Sequence, residues 1–461
     1  MPNAKKRSQS AIHAALAIPF IAFLAVYAPA VGLGFISDDF GWIAQSRIGS
    51  PHDVLSFLTN APGFYRPLVS LSFSADYALF STHALGYGWT NLALAAVDAV
   101  LLVRLARALG VGPAGAAIAA AVWLLNFHGI NMALLWISGR TALLLIAGAL
   151  VSMTALLRGS IPLALVGFAA ALLSKEEAIV LPLIGAATLW LVAPSWPRAR
   201  LVVLAAGTLA LLAVYFVLRD HAGSMTPLTA PTYYRFTFSA ADLARNAIEY
   251  TDRGATYAAA AALTAFAVLW PARVHANRRL LLLSAIWFAV AYLPTIAIPS
   301  RSSLYACFPS IAAALACGHF VERFWETSTA PRRRAALAAT AVIPLVCMPA
   351  YLARNHRWTD LAIFSTRVLD DLAARARRWP AGAALVLVDD RTERVNLNSA
   401  FGGLIGDAVA LRTGRAMNVT IETPPPNADA ARATSACDGC PVIQLALQSG
   451  RIVSGDSRGR R

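Results

Sequence analysis

Apolar runs of about 20 residues, the length that crosses a bilayer, return along the chain from its first residues to about residue 353. In hydrocarbon every backbone N–H and C=O needs a partner inside the protein, and a helix supplies one for each residue. The runs lie near 12–35, 88–108, 114–127, 141–157, 161–173, 177–193, 201–218, 254–270, 280–298, 303–321 and 336–353. Of the 461 residues 58% are hydrophobic and only 14% are charged. A soluble domain carries about 25% charged residues. The pattern predicts an all-α polytopic membrane protein with about eleven transmembrane helices, counted from those runs.

The formal net charge is +15. In a soluble chain that excess would suggest nucleic acid. Here short loops between apolar runs hold much of it, and retention of Lys and Arg on the cytoplasmic side accounts for it, so no nucleic-acid partner is expected. With Lys5, Lys6 and Arg7 inside, alternation puts Arg104/Arg107, Arg158, Arg198/Arg200, Arg273/Arg278/Arg279 and Arg332/Arg333/Arg334 inside as well. The opposite side receives a long first loop (36–87), the 128–140 segment, Lys175-Glu176-Glu177, the 219–245 loop, Arg301 and the C-terminus. The basic start and Ala28-Pro29-Ala30 have the look of a signal peptide. The 12–35 stretch exceeds a signal core, and we read it as an uncleaved first span. The expected location is a cell inner membrane, N-terminus cytoplasmic and C-terminus extracytoplasmic.

Two units follow from composition: 1–354, the membrane module, and 355–461, a small extracytoplasmic α/β domain. In the second, Ala383-Ala384-Leu385-Val386-Leu387-Val388-Asp389-Asp390 reads as a buried strand, with a glycine-rich turn at 401–406 and a helix behind it. The tail from Arg451 to Arg461 is expected to be disordered. Cys307, Cys317 and Cys347 fall in apolar runs and read as small core residues. Cys437 and Cys440 stand as a lone pair, which cannot complete a zinc site but suits a local disulfide.

The polar residues of the outer side group into five segments: Asp38-Asp39; Phe64-Tyr65-Arg66-Pro67-Leu68, leading through Asp76-Tyr77 and Gly86-Tyr87 to Asn91; His128 and Trp136-Ile137-Ser138-Gly139-Arg140; Ser174-Lys175-Glu176-Glu177; and Ser300-Arg301-Ser302-Ser303-Leu304-Tyr305. Adjacent carboxylates repel unless something cationic faces them, so Asp38-Asp39 calls for a metal, a phosphate-binding cluster or a reacting hydroxyl. Each segment also has a plainer reading. The acidic pair caps a loop helix, Arg66 anchors one, Arg140 snorkels at a span end, Lys175-Glu176 is a surface ion pair, Asn91 bonds a neighbouring helix, and Tyr305 belongs to an interfacial belt.

From about residue 12 to 320 the order of these segments resembles the GT-C class of membrane glycosyltransferases, most closely the bacterial relatives of the transmembrane and tetratricopeptide-repeat O-mannosyltransferases. The repeats themselves are absent. Where that pattern has His, this chain has Gly88 and Ala95; where it has His-Pro, His128-Gly129; and where an acid follows Gly-Arg, Ala142. The resemblance implies transfer of a sugar from a polyprenyl-phosphate donor to a hydroxyl acceptor of the envelope (protein, lipid or glycan) on the extracytoplasmic face, with inversion, beside membrane lipids. It implies Asp38 or Asp39 as general base, with Asp39 also a candidate ligand for a divalent cation (Mg or Mn). It implies Arg66, Asn91, His128, Arg140, Lys175, Glu176, Arg301 and Tyr305 as substrate-binding residues. Donor sugar and acceptor do not carry over.

Three other readings stand beside it, one of them a non-catalytic assembly protein that keeps the fold, which the histidines replaced by Gly88 and Ala95 leave open. A ligase or polymerase of lipid-linked glycans favours a large late loop bearing Arg and His, and the 219–245 loop is modest. A transporter or flippase places ionisable residues mid-span, and Asp98 is the acid in that position.

Overall fold

The computed structural model describes residues 17–61, 63–193, 196–226, 228–271, 274–380, 382–389, 395–422, 441–448 and 451–453. Each of the eleven apolar runs holds a helix. After α1 (Ala17–Tyr27) the first loop folds into three helices, α2 (Asp38–Gln45), α3 (Pro51–Thr59) and α4 (Pro67–Phe80). The last two open on proline, which gives up no helical hydrogen bond in the first turn. Then follow α5 (Ala84–Ala108), α6 (Pro113–Leu124), α7 (Ile130–Leu135), α8 (Arg140–Leu157), α9 (Ile161–Leu172), α10 (Leu181–Leu191) and α11 (Arg198–His221). The series ends with α12 (Ala240–Thr251), α13 (Tyr257–Leu269), α14 (Arg278–Ala291), α15 (Ser310–Thr327) and α16 (Ala330–Ala376). A π-helical turn, Asp252–Thr256, joins α12 to α13.

Among the described residues four helices are long and apolar enough to cross a membrane: Ala84–Ala108, Ile137–Leu157, Arg198–His221 and Ala330–Ala376. Others are shorter. Helices α6 and α9 have 12 residues each and α10 has 11. At 1.5 Å per residue that is about 16 to 18 Å, against a hydrocarbon core of about 30 Å. Helices that short do not reach across that depth by themselves, and the chain turns between them at 125–139 and 173–180. Irregular backbone at that depth is tolerated only where it is buried in protein or lines a polar cavity. Both segments carry residues of the expected site.

Close backbone approach fixes the bundle. A Cβ on Gly167 would lie 2.6 Å from the Ser152 amide nitrogen, and one on Gly318 2.2 Å from the Gly115 carbonyl oxygen. These contacts seat α8 on α9 and α6 on α15, as small residues do between membrane helices.

Past the last apolar run α16 continues unbroken to Ala376, so the boundary drawn at 354/355 falls inside a helix. Beyond it come β1 (Ala384–Val388), α17 (Leu397–Phe401), α18 (Ile405–Thr413), β2 (Val419–Glu422), β3 (Val442–Gln448) and β4 (Arg451–Val453). The sheet order is β2-β1-β3-β4. Strand β1 is parallel to both neighbours, and β4 is antiparallel to β3. An unbroken apolar run such as Ala384–Val388 is what a central parallel strand needs. The expectation of disorder from Arg451 onward is corrected at its start, because Arg451–Val453 is β4; the remainder, and Cys437 and Cys440, lie outside the described residues. Cys307 and Cys317 are buried free thiols, and Cys347 is half-buried.

The sheet does not have a core of its own. Phe35, Ile36, Phe40, Ile43 and Tyr87 share one apolar cluster with Leu385, Leu387, Phe401, Ile405 and Leu445. The first loop and the C-terminal unit fold as one cap on the side of the bundle where 125–139 and 173–180 turn.

Candidate active site

Helix α2 starts at Ser37, a non-glycine residue at φ 47° whose N–H donates to the Ala400 carbonyl, 2.7 Å away. The C-terminal unit thus fixes where the acidic pair begins, and the two carboxylates part company there. Asp39 is fully buried. Its Oδ2 accepts the Ile36 N–H at 2.9 Å. Its Oδ1 accepts the Ser138 N–H at 2.7 Å and the Ser138 hydroxyl as well. Burial pushes this carboxyl up to about 7 against the pull of those donors. Asp38 is exposed and, among the described residues, makes no hydrogen bond. Surrounding protein raises its proton affinity and the Arg66 guanidinium lowers it.

Arg66 stands at the start of α4, its guanidinium 4.0 Å over the Phe64 ring. Its Nε and Nη2 grip Glu176, Nη2 at 2.8 Å, which leaves Nη1 uncommitted among the described residues. Arg219, at the end of α11, lies 3.7 Å from the same carboxylate and donates to the Tyr215 hydroxyl at 3.0 Å. Leu68 N–H donates to the Leu173 carbonyl at 3.0 Å and ties α4 to the end of α9.

The expected pairing of Lys175 with Glu176 is corrected. A 3₁₀ turn at Glu176–Val180 swings the two glutamates apart. Glu176 goes to Arg66, and Lys175 pairs with Glu177 at 3.0 Å. Lys175 is buried and lies 5.1 Å from the Tyr305 ring centre. Tyr305 meets Tyr250 edge-on at 6.3 Å, and Tyr250 stacks on Tyr292 at 4.9 Å. Arg301 joins a second ion-pair group on Glu249, at 3.3 Å, with Arg253 at 2.9 Å. His128 is next in line: its Nδ1 accepts from Arg354 Nη2 at 2.9 Å, and Nε2 is 3.9 Å from Asp252. Burial, then Arg354, lowers the imidazole to about 4, so it is neutral at physiological pH.

Two expected substrate-binding residues, Arg140 and Asn91, have their polar groups engaged within the protein. Arg140 is fully buried. It pairs with Asp76 at 2.6 Å and donates to Asn91 Oδ1 at 3.0 Å, Ser72 Oγ at 3.0 Å and the Tyr87 carbonyl at 3.2 Å. Asn91 in turn donates to the Ala133 and Ile137 carbonyls at 3.1 and 3.0 Å. These groups have spent their donors inside the protein. They hold the segment of chain that presents Ser138 to Asp39. N–H and O–H donors meet both oxygens of Asp39, the expected candidate cation ligand. Among the described residues no group of three or more His, Cys, Asp or Glu side chains is arranged to hold a metal ion.

Two of the departures from the GT-C pattern, Gly88 and Gly129, fit tight backbone positions. A Cβ on Gly88 would lie 2.5 Å from the Gly32 nitrogen, so histidine has no room there. Gly129 sits at φ +87°, where proline cannot go.

The carboxylate pair, the lysine-glutamate turn and the arginines thus meet beneath a cap on a helical bundle. No protein-family model and no curated protein matches the sequence. Solved structures do. ArnT from Cupriavidus metallidurans in the apo state superposes with a TM-score of 0.52 at 14% identity, covering 90% of this chain and 86% of that one. The chain has an ArnT-like fold. A structure of the same ArnT bound to undecaprenyl phosphate matches at 14% identity over 88% of this chain and 85% of that one, with a TM-score of 0.46. The likeness is one of fold; the resemblance to the O-mannosyltransferase branch rests on the motifs alone.

Asp76, Asp252, Arg219, Glu249, Arg253 and Arg354 escaped the sequence reading as site residues. Arg354 had the weakest signal, because a domain boundary had been drawn beside it.

Proposed function

We propose that the chain is a glycosyltransferase that moves a sugar from a polyprenyl-phosphate donor to a hydroxyl acceptor at the capped, extracytoplasmic side of an inner membrane. One observation carries the reading: Asp38 is an exposed carboxylate within electrostatic reach of Arg66, an arginine that Glu176 locks in place while its Nη1 stays uncommitted among the described residues. Asp38 takes the proton of the acceptor hydroxyl, whose oxygen forms the new bond to the anomeric carbon. The bond from that carbon to the phosphate oxygen breaks, and the lipid phosphate leaves with the electron pair. Arg66, with Arg219 behind it, stabilises the negative charge that develops there. A single displacement of this kind inverts the anomeric centre.

The apolar side supports a lipid carrier. A groove of about 590 Å³ between α8, α9, α10 and α11 is walled by Leu156, Phe168, Leu181, Trp190, Leu204 and Leu209. Leu181 directly follows the turn that carries Glu176 and Glu177.

Asp38→Asn should cut transfer from a polyprenyl-phosphate sugar by about 10²- to 10⁴-fold, the usual share of a general base, with melting temperature and lipid binding unchanged. Full transfer by this variant in a reconstituted assay would end the assignment.

A further inference from the structure

Beside the phosphate-facing arginines lies a charged pair with unused hydrogen-bonding capacity. Lys175 is 3% exposed and Glu177 6%. Their heads stand 3.0 Å apart through Glu177 Oε2. Apart from that ionic contact, Lys175 Nζ and Glu177 Oε1 have no hydrogen-bond partner among the described residues. Charges removed from water are stabilised only when their remaining donors and acceptors are also satisfied. The pair is therefore incomplete as a purely structural element. Trp287, on the helix packed against the Glu176–Val180 turn, also keeps a buried, unpartnered indole N–H. By contrast, the adjacent Glu176 is fully engaged with Arg66.

The chemistry of the vacancy is specific. An anion would gain from Lys175 and be repelled by Glu177; a cation would meet the reverse. A neutral hydroxyl donates to Glu177 and accepts from Lys175, so adjacent hydroxyls of a sugar ring satisfy both. The Tyr305 ring carries Lys175 Nζ over its face, 5.1 Å from its centre, and so orients the ammonium that a ring hydroxyl would meet. The peptide link from Glu177 to Glu176, and so to Arg66, keeps a sugar at this pair close to a phosphate at Arg66.

We propose that Lys175, Glu177 and Tyr305 form the subsite that reads vicinal hydroxyls of the donor's hexose ring. This rests on the carrier-lipid reading above. The test uses the full chain in lipid nanodiscs and two kinds of probe: polyprenyl monophosphate, and its glucosyl, mannosyl and galactosyl esters. Lys175→Met and Glu177→Gln should each weaken binding of at least one glycosyl ester by about tenfold or more, the size expected when a polar site loses its match. Binding of the sugar-free lipid should change by less than about threefold. Equal weakening of both probes, or of neither, overturns the subsite and leaves a water-filled structural pair. If either variant fails to fold, Tyr305→Leu keeps both charges in place. It should lower affinity for the glycosyl ester alone, and unchanged affinity overturns the proposal. Wild-type protein that binds no lipid probe at all would instead overturn the carrier reading, and this subsite with it.

Discussion

Two arginines that stand where helices begin, Arg140 at α8 and Arg66 at α4, end differently. Arg140 distributes its donors among Asp76, Asn91, Ser72 and the Tyr87 carbonyl and is fully buried. Arg66 commits two nitrogens to Glu176 and leaves Nη1 uncommitted among the described residues, with 12% of its side chain exposed. The acidic pair repeats the contrast at one-residue spacing: Asp39 accepts three hydrogen bonds, and Asp38 accepts none among the described residues. A charged group with all its partners inside the fold acts as a brace. One with capacity left over is available to a ligand.

The largest test of that contrast is Arg140→Met. It leaves Asp76 buried with only the Thr90 hydroxyl as a donor, at 2.7 Å. Removing one partner of a buried ion pair costs about 3–5 kcal/mol, so the variant should melt far below the wild type or fail to accumulate. A well-folded Arg140→Met protein that lost only transfer would put Arg140 in the binding site and erase the distinction.

Asp39→Asn should be smaller. An amide has one acceptor oxygen to offer where the carboxylate meets three donors, and its NH₂ must face one of them. The cost of a buried group left mismatched is about 1–3 kcal/mol. Its pH signature separates it from Asp38. Asp39 has a folded-state pKa raised from the ordinary 3.8 to about 7. The folded state therefore holds this proton more tightly than the unfolded chain does. Its contribution to stability is complete below about 3.8 and is lost as pH rises through about 7. Thermal unfolding between pH 4 and pH 8 should show that decline in the wild type and less of it in Asp39→Asn. An Asp39→Asn protein with the wild-type slope would locate the titrating group elsewhere.

Much of this arrangement was legible in the chain. The apolar runs located every long helix, the strand at 384–388 showed in its unbroken aliphatic run, and loop charges gathered the polar segments on one side. Asp38, Arg66, Lys175 and Glu176 do come together. What the sequence could not carry is direction. Whether Asp38 or Asp39 faces outward depends on Ser138, a hundred positions away along the chain. The exchange of Lys175 from Glu176 to Glu177 depends on a 3₁₀ turn that neighbouring residue types do not announce. Arg140 looked like an anion binder because its partner Asp76 stands on another helix. The cap's single core hid the domain boundary, since α16 changes from apolar to polar without ending.

The smallest effect concerns Asp98, the acid inside α5 and the feature that a transporter reading would favour. It is fully buried, and neither carboxylate oxygen has a hydrogen-bond partner among the described residues. By the contrast drawn above, unused capacity marks a working group, so Asp98 tests how far that rule reaches. It differs from Asp38 in having no access: it is sealed among the apolar residues of the bundle, and no cation pairs with it. A sealed carboxyl can only be neutral or costly, and trading it for an amide exchanges one poorly satisfied polar group for another. Asp98→Asn should therefore change stability by less than about 1 kcal/mol, within the range of substitutions that break no network, and leave transfer intact. If instead Asp98→Asn abolished function in a well-folded protein, a proton or ion would have to reach the middle of α5. Isolation from solvent would then not mean idleness, and the transporter class would return.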